Sequence, residues 1–198
     1  MRLALEDAVV VLLDLQSSVV GMLPKDDQAL LNRNLSVTLE IARGLELPVV
    51  VSSNLEDGPI GAVLESIERG NPEAFAARIK RSGAFDAFAD PAFAQALQRI
   101  GRKTLLLAGF PIDVPVMQTA LTAREQGYDV AVMVNCCGSP SPRAIDLSIQ
   151  RLQQHGALAV MSISAMAELT GGYHTTEGQA LMRSVMQHTI FSDAGALD

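Results

Sequence analysis

Tryptophan is absent from this sequence, and aromatic residues make up only 4% of it. Surfaces that stack nucleobases need several such rings, so a single-stranded nucleic-acid platform is not expected. Positive charge is also scarce. Fifteen Lys and Arg stand against 22 Asp and Glu, giving a formal net charge of -7, and the basic residues are scattered. Binding to a phosphate backbone is therefore not expected. The two cysteines, Cys136 and Cys137, are adjacent, where a mutual bridge would be strained. Without a disulfide framework, a reducing cytoplasm is the expected location. The longest apolar runs, such as AVVVLL and TLLLAGF, are strand-sized and too short to span a bilayer, so no membrane partner is expected. Glu6 and Asp7 interrupt the N-terminal MRLALEDAVV, which does not read as a secretory signal. His155, His174 and His188 lack ligand spacing, and no GxGxxG or Walker loop occurs. Neither a metal nor a cofactor is expected.

What is present is a regular alternation of strand-like and helix-like segments. The 198 residues are 48% hydrophobic, enough for one sizeable core, and no linker, charge block or repeat divides residues 1–198. Continuous apolar runs occur at residues 8–15, 47–54, 77–81, 103–110, 129–137 and 158–164. Such runs suit a parallel sheet covered on both faces. Between them, DPAFAQALQRIG offers Asp90 as N-cap, Pro91 at the first helical position and Gly101 as terminator. Ser141, Pro142 and Gly156 repeat that grammar, and residues 28–45 carry Leu31, Leu35, Leu39 and Ala42 on one helical face. The expected fold is a three-layer αβα sandwich with a mainly parallel, doubly wound six-stranded sheet. A C-terminal helix over about 174–190, with Leu181, Val185, Met182 and Met186 on adjacent rows, suits subunit packing or ordinary core filling.

In such sheets ligands sit beyond the carboxyl ends of the strands, where strand order reverses. The residues there are Asp14 and Gln16, Asn54, Lys80, the Gly109–Pro115 turn, and Cys136 to Ser139. Asp14 follows six apolar residues, and a carboxylate in a half-buried site needs a partner. Lys80 is the expected one, because a nearby ammonium keeps an aspartate ionised and the two can manage a proton. Spacing alone leaves open that Asp14 caps a turn and Lys80 is solvated. Glu56 and Asp57 read as the solvated start of a turn through Gly58 and Pro59.

The segments VVLLDLQ, IKRSGAF and LLLAGFPIDVPVMQTALTAREQGYDVAVMVNCCGSPS resemble the isochorismatase-like, or cysteine hydrolase, superfamily. The SSNLEDGPIG segment and the layout toward the C-terminal helix resemble its YcaC-related branch. The resemblance implies an aspartate, a lysine and a nucleophilic cysteine at the start of the fourth helix, with Asp14 and Lys80 matching the first two. It also implies an oxyanion hole made by the N–H of that cysteine and the N–H following a commonly cis peptide bond. Aligned on GFPIDVPV, the cysteine position is Pro115 and the residue after the bond is Pro111.

Both positions therefore lose an N–H, and Pro115 also lacks a thiol. Each donor contributes about 3–4 kcal/mol to a transition state. A thioester-forming amidase reaction is not expected. As a local structure the turn is unobjectionable: Asp113 can cap the helix, Pro115 then falls in its first turn, and Phe110–Pro111 can be cis at a cost of about 0.5–1 kcal/mol. Cys137 or Cys136 could face the pocket, but no histidine lies near in sequence to activate a thiol. Two functions remain in view. One is a hydrolase acting on or binding a small molecule without a cysteine, using Asp14 and Lys80 with Gln16, Asn54, Phe110, Pro111 and Cys137 around the ligand. Arg78, Arg81 and Arg143 are candidates for an acidic substrate. The other is a non-catalytic binding or assembly protein of the same family. A homo-oligomer is expected in either case.

Overall fold

The computed structural model describes residues 2–187. Six parallel strands form one sheet: β1 (Ala8–Leu13), β2 (Val49–Asn54), β3 (Ile79–Arg81), β4 (Thr104–Gly109), β5 (Asp129–Cys137) and β6 (Leu158–Val160). Their spatial order is β3-β2-β1-β4-β5-β6, so the chain winds outward from β1 and then returns to β1's other side. The carboxyl ends of β1 and β4 thus flank the point of reversal.

Along β1 the side chains alternate between two apolar layers. Ala8, Val10 and Leu12 join one cluster, and Val9, Val11 and Leu13 the other. Every residue of the strand is buried. A short helix α1 (Ser17–Val20) follows, then α2 (Lys25–Gly44), which contributes Leu31, Leu35, Leu39 and Ile41 to the first layer. Helices α3 (Glu65–Gly70) and α4 (Pro72–Ala76) lead into β3. The second layer is built from α5 (Pro91–Ile100), α6 (Met117–Glu125) and α7 (Pro142–Gln154) through Phe93, Leu97, Ala120, Ala123 and Leu152. Helices α8 (Ser162–Thr170) and α9 (Thr176–Gln187) return to the first layer, where Leu181 and Val185 are buried. The three-layer sandwich follows from β-branched runs that need cover on both faces.

The expected caps are in place: Asp90 accepts from the Ala92 N–H, Ser141 from the Ala144 N–H, and Gly101 closes α5 at φ 73°. Several boundaries differ from expectation: β1 ends at Leu13 rather than 15, β2 begins at Val49 rather than 47, β3 at Ile79 rather than 77, and α2 at Lys25 rather than 28. The last strand ends at Val160 rather than 164, because Asn135 on β5 accepts from the Ser162 N–H at 2.7 Å and donates to its hydroxyl at 3.0 Å. A cap supplied by another strand starts α8 there. Helix α9 is described over Thr176–Gln187, and residues 188–190 of the expected range lie outside the described residues.

At the reversal point β1 and β4 approach closely over Gly109. A Cβ there would press on the Leu13 carbonyl oxygen and lie 2.8 Å from Val116 Cγ2 and 2.9 Å from Leu13 Cβ. Gly109→Ala should therefore destabilise the protein by about 1–3 kcal/mol, read as a lower urea midpoint with unchanged slope. A neutral effect would show that this approach is not a packing constraint.

Candidate functional site

Asp14 is the residue at which β1 leaves the sheet. It adopts φ 53°, a left-handed conformation that aspartate tolerates better than most residues, and its N–H donates to Ser52 O at 2.9 Å. The residue is buried at 6% exposure, and its side chain bonds Arg81, not Lys80. Arg81 is itself only 2% exposed. Its Nη2 donates to Asp14 Oδ1, its Nε to Ser52 Oγ at 2.9 Å, and its Nη1 to the carbonyls of Ala84 and Phe85. Burial raises the pKa of Asp14, and the charge and hydrogen bond of Arg81 oppose that shift.

Lys80 is a correction to the sequence reading. Successive side chains of a strand point to opposite faces, and in β3 the inward position falls to Arg81, paired in register with Asn54. Lys80 faces outward, with its Nζ 3.4 Å from Glu56 Oε1 and 3.8 Å from Asp57 Oδ1. Glu56 is not simply solvated either. Arg78 donates to both of its oxygens, at 2.6 and 2.8 Å, and holds its pKa down at about 2.

Gln16 and Asn54 are engaged by the chain itself. Gln16 is fully buried, its Oε1 accepting from the Asn54 N–H and its Nε2 donating to the carbonyls of Asn54 and Gly61. It ties the ends of β1 and β2 to the Gly61 loop. Asn54 Nδ2 donates to Ala84 O at 3.0 Å and its Oδ1 accepts from the Gly83 N–H at 2.8 Å. Together with Arg81 it fixes the 83–85 loop.

Beyond β4 the Phe110–Pro111 bond is cis, and the Ile112 N–H donates to Gly138 O at 2.8 Å. One wide π-type turn, Ile112–Val116, then runs into α6. Asp113 does not cap it; its Oδ1 is buried without a partner, because the helix entry begins at Ile112 ahead of that side chain. Pro115 is buried inside the turn.

These elements enclose a cavity of about 220 Å³ lined by Asp14, Val19, Asn54, Ile60, Phe85, Phe110, Pro111, Val114 and Pro115. The structure thus gathers Asp14, Asn54, Phe110, Pro111 and Pro115 and leaves out Lys80, Gln16 and Cys137. Lys80 borders a separate depression with Glu56 and Asp57. Cys137 lines another cavity, of about 250 Å³, with Leu23, Leu31, Asn34 and Ile145. Burial pushes the thiols of both Cys136 and Cys137 upward, the reverse of what a nucleophile needs. No group of three or more His, Cys, Asp or Glu suited to a metal occurs among the described residues. Nor is any described helix long and apolar enough to cross a membrane. The sequence offered Arg81 only as a candidate for an acidic substrate, not as the partner of Asp14, and it did not offer Val19, Ile60, Phe85 or Val114 as lining residues. In a strand of three residues the choice of Arg81 over Lys80 is set by the register with β2.

Removing either member of a buried ion pair strands the other. Arg81→Ala should lower stability by about 3–5 kcal/mol in urea denaturation. Lys80→Ala, at a 47% exposed side chain, should stay within about 0.5 kcal/mol of wild type. Equal effects from the two substitutions would contradict the pairing described above.

The family model for the isochorismatase domain matches residues 8–164. The probable hydrolase YcaC of Escherichia coli strain K12 is 27% identical over 168 residues, which cover 85% of this chain and 80% of that protein. Among solved structures, YcaC from Pseudomonas aeruginosa with hexane-2,5-diol and covalent acrylamide is 26% identical, with a TM-score of 0.85 over 98% of this chain and 97% of that one. The YcaC gene product of Escherichia coli, an octameric hydrolase of unknown specificity, shares the fold at 24% identity and a TM-score of 0.88, covering 100% of this chain and 98% of that one. With the sheet order and strand-end site already in place, the match over most of the chain settles its kinship: this protein belongs to the isochorismatase family and is a hydrolase-like, YcaC-related member of it.

Proposed function

We infer that this chain binds a small molecule in the cavity over Asp14 and that any reaction there proceeds without a covalent enzyme–sulfur intermediate. The observation that carries the reading is the cavity's wall: Pro111 and Pro115 line it beside Asp14, while Cys137 lines a different cavity. Neither proline has an N–H to stabilise an oxyanion, and neither has a nucleophilic atom. The chemistry left to the pocket is proton transfer by Asp14, whose burial raises its pKa and whose Oδ1 is held by Arg81. Such a carboxyl can serve a reaction that protonates carbon, which needs no oxyanion hole.

A second reading, a non-catalytic binder, is favoured by the same prolines together with the way Arg81 clamps the carboxylate. A screen of amides, nitriles and vinyl ethers against wild type and Asp14→Asn separates the two. Amides and nitriles should stay at background for both proteins. Vinyl-ether turnover lost in Asp14→Asn supports the acid role, and background rates throughout support the binder. Amide hydrolysis that depends on Asp14 would overturn the reading as a whole. Acrylamide, which is covalently attached in the Pseudomonas aeruginosa YcaC structure, gives an independent check. Intact-mass analysis of this protein after brief exposure at neutral pH should show no rapid single adduct.

Self-association belongs to the same proposal. The Escherichia coli relative is octameric, and here Met22, Leu30, Leu147 and Met186 are large apolar side chains at least half exposed. Whereas Leu181 and Val185 of α9 pack inward, Met186 points out, which suits subunit packing by that helix. Light scattering coupled to size exclusion should return a mass several times that of one 21.1 kDa chain. A monomer at micromolar concentration would end this part of the proposal.

A further inference from the structure

We propose that the cavity over Asp14 selects a small neutral alcohol, and that its polarity is opposite to that of a pocket built for a carbonyl compound. This rests on the cavity being the ligand site. A carbonyl or carboxylate ligand brings acceptors and needs donors from the protein. Here six of the nine lining residues offer no free backbone donor. Pro111 and Pro115 have no N–H. The N–H groups of Asp14, Asn54, Phe110 and Val114 donate to Ser52 O, Gln16 Oε1, Leu13 O and Pro111 O. The side-chain amide of Asn54 donates one N–H to Ala84 O and accepts from the Gly83 N–H, so it is held against the 83–84 loop.

What remains is an acceptor. Arg81 takes Asp14 Oδ1, and no hydrogen bond among the described residues reaches Oδ2. With the carboxyl ionised, the state that the charge of Arg81 favours, an O–H donor on the ligand satisfies that oxygen with a charge-assisted bond. Charge then selects within the donors. Arg81 already balances the carboxylate, so an ammonium would enter as an uncompensated cation in an apolar enclosure, while a hydroxyl would not. Size and shape are set by the rest of the lining. At about 220 Å³, walled by Phe85, Phe110, Ile60 and Val114, the space suits a compact apolar body below the drug-sized range. Phe85 forms the rim, 64% exposed, on the loop tethered by Arg81 and Asn54.

Saturation-transfer NMR and calorimetry with cyclohexanol, cyclohexylamine, cyclohexanone and cyclohexanecarboxylate test this, using wild type, Asp14→Asn and Val114→Phe. Val114→Phe fills the cavity from a half-buried position and should abolish binding of every member. Wild type should hold cyclohexanol about tenfold more tightly than the ketone, amine or carboxylate, and Asp14→Asn should erase that preference. Ketone, amine or carboxylate binding that equals or exceeds cyclohexanol, and is lost in Val114→Phe, would overturn the inference while leaving the cavity as the ligand site. Cyclohexanol binding unaffected by Val114→Phe, or no binding of any member at millimolar concentration, would overturn the site itself.

Discussion

The carboxyl ends of three strands are organised around one buried ion pair, Asp14 with Arg81. An aspartate at 6% exposure and an arginine at 2% cannot stand alone. Arg81 is satisfied in four directions: by Asp14 from the end of β1, by Ser52 from β2, and by the Ala84 and Phe85 carbonyls from the loop after β3. The pair therefore does more than neutralise charge. It fixes the conformation of a loop whose Phe85 forms the cavity's edge, and it does so beside the point where strand order reverses. A lysine has three donors on one atom and lacks this planar fork, so it could not hold a side-chain oxygen and two carbonyls in the same way.

The turn beyond β4 is shaped so that it takes two imino acids. Proline at 115 would break a helix interior, but within the entry turn of α6 its missing N–H has no intrahelical acceptor to lose. Pro111, next to a tight backbone reversal anchored by Ile112 N–H on Gly138 O, meets the same tolerance. Backbone geometry places no demand here for the groups that an amidase would use. The turn therefore accommodates both prolines.

Much of this was legible in the sequence. Continuous β-branched runs and the Asp90–Pro91–Gly101 and Ser141–Pro142 grammars are local signals, and the sandwich followed from them. Asp14, Pro111 and Pro115 were readable for the same reason: each ends or follows a strong strand. The failures share a different cause. Lys80 and Arg81 are neighbours, and a three-residue strand gives no internal pattern to say which faces inward, so the register with β2 decided it. Asn135 caps α8 from 27 residues away. Gln16 and Asn54 look like ligand-binding amides by position, yet their bonds to each other, to Gly61 and to the 83–84 loop depend on contacts made only in the folded chain.

These departures are coupled through polarity. An oxyanion site needs donors aimed into the cavity, and a fixed carboxylate in the same small space is tolerable when those donors or a thiol proton answer it. Remove the donors and the carboxylate must be balanced from behind. Arg81 does this with a guanidinium bonded to Asp14 Oδ1. The cation then sits outside the cavity lining, whose walls apart from Asp14 and Asn54 are apolar. Restoring a thiol at position 115 alone would put an acceptor-rich reaction into a space that offers its oxygen nothing. The cation, the two imino acids and the amides engaged by the loop act as one arrangement, and the chemistry of the site follows from all of them together.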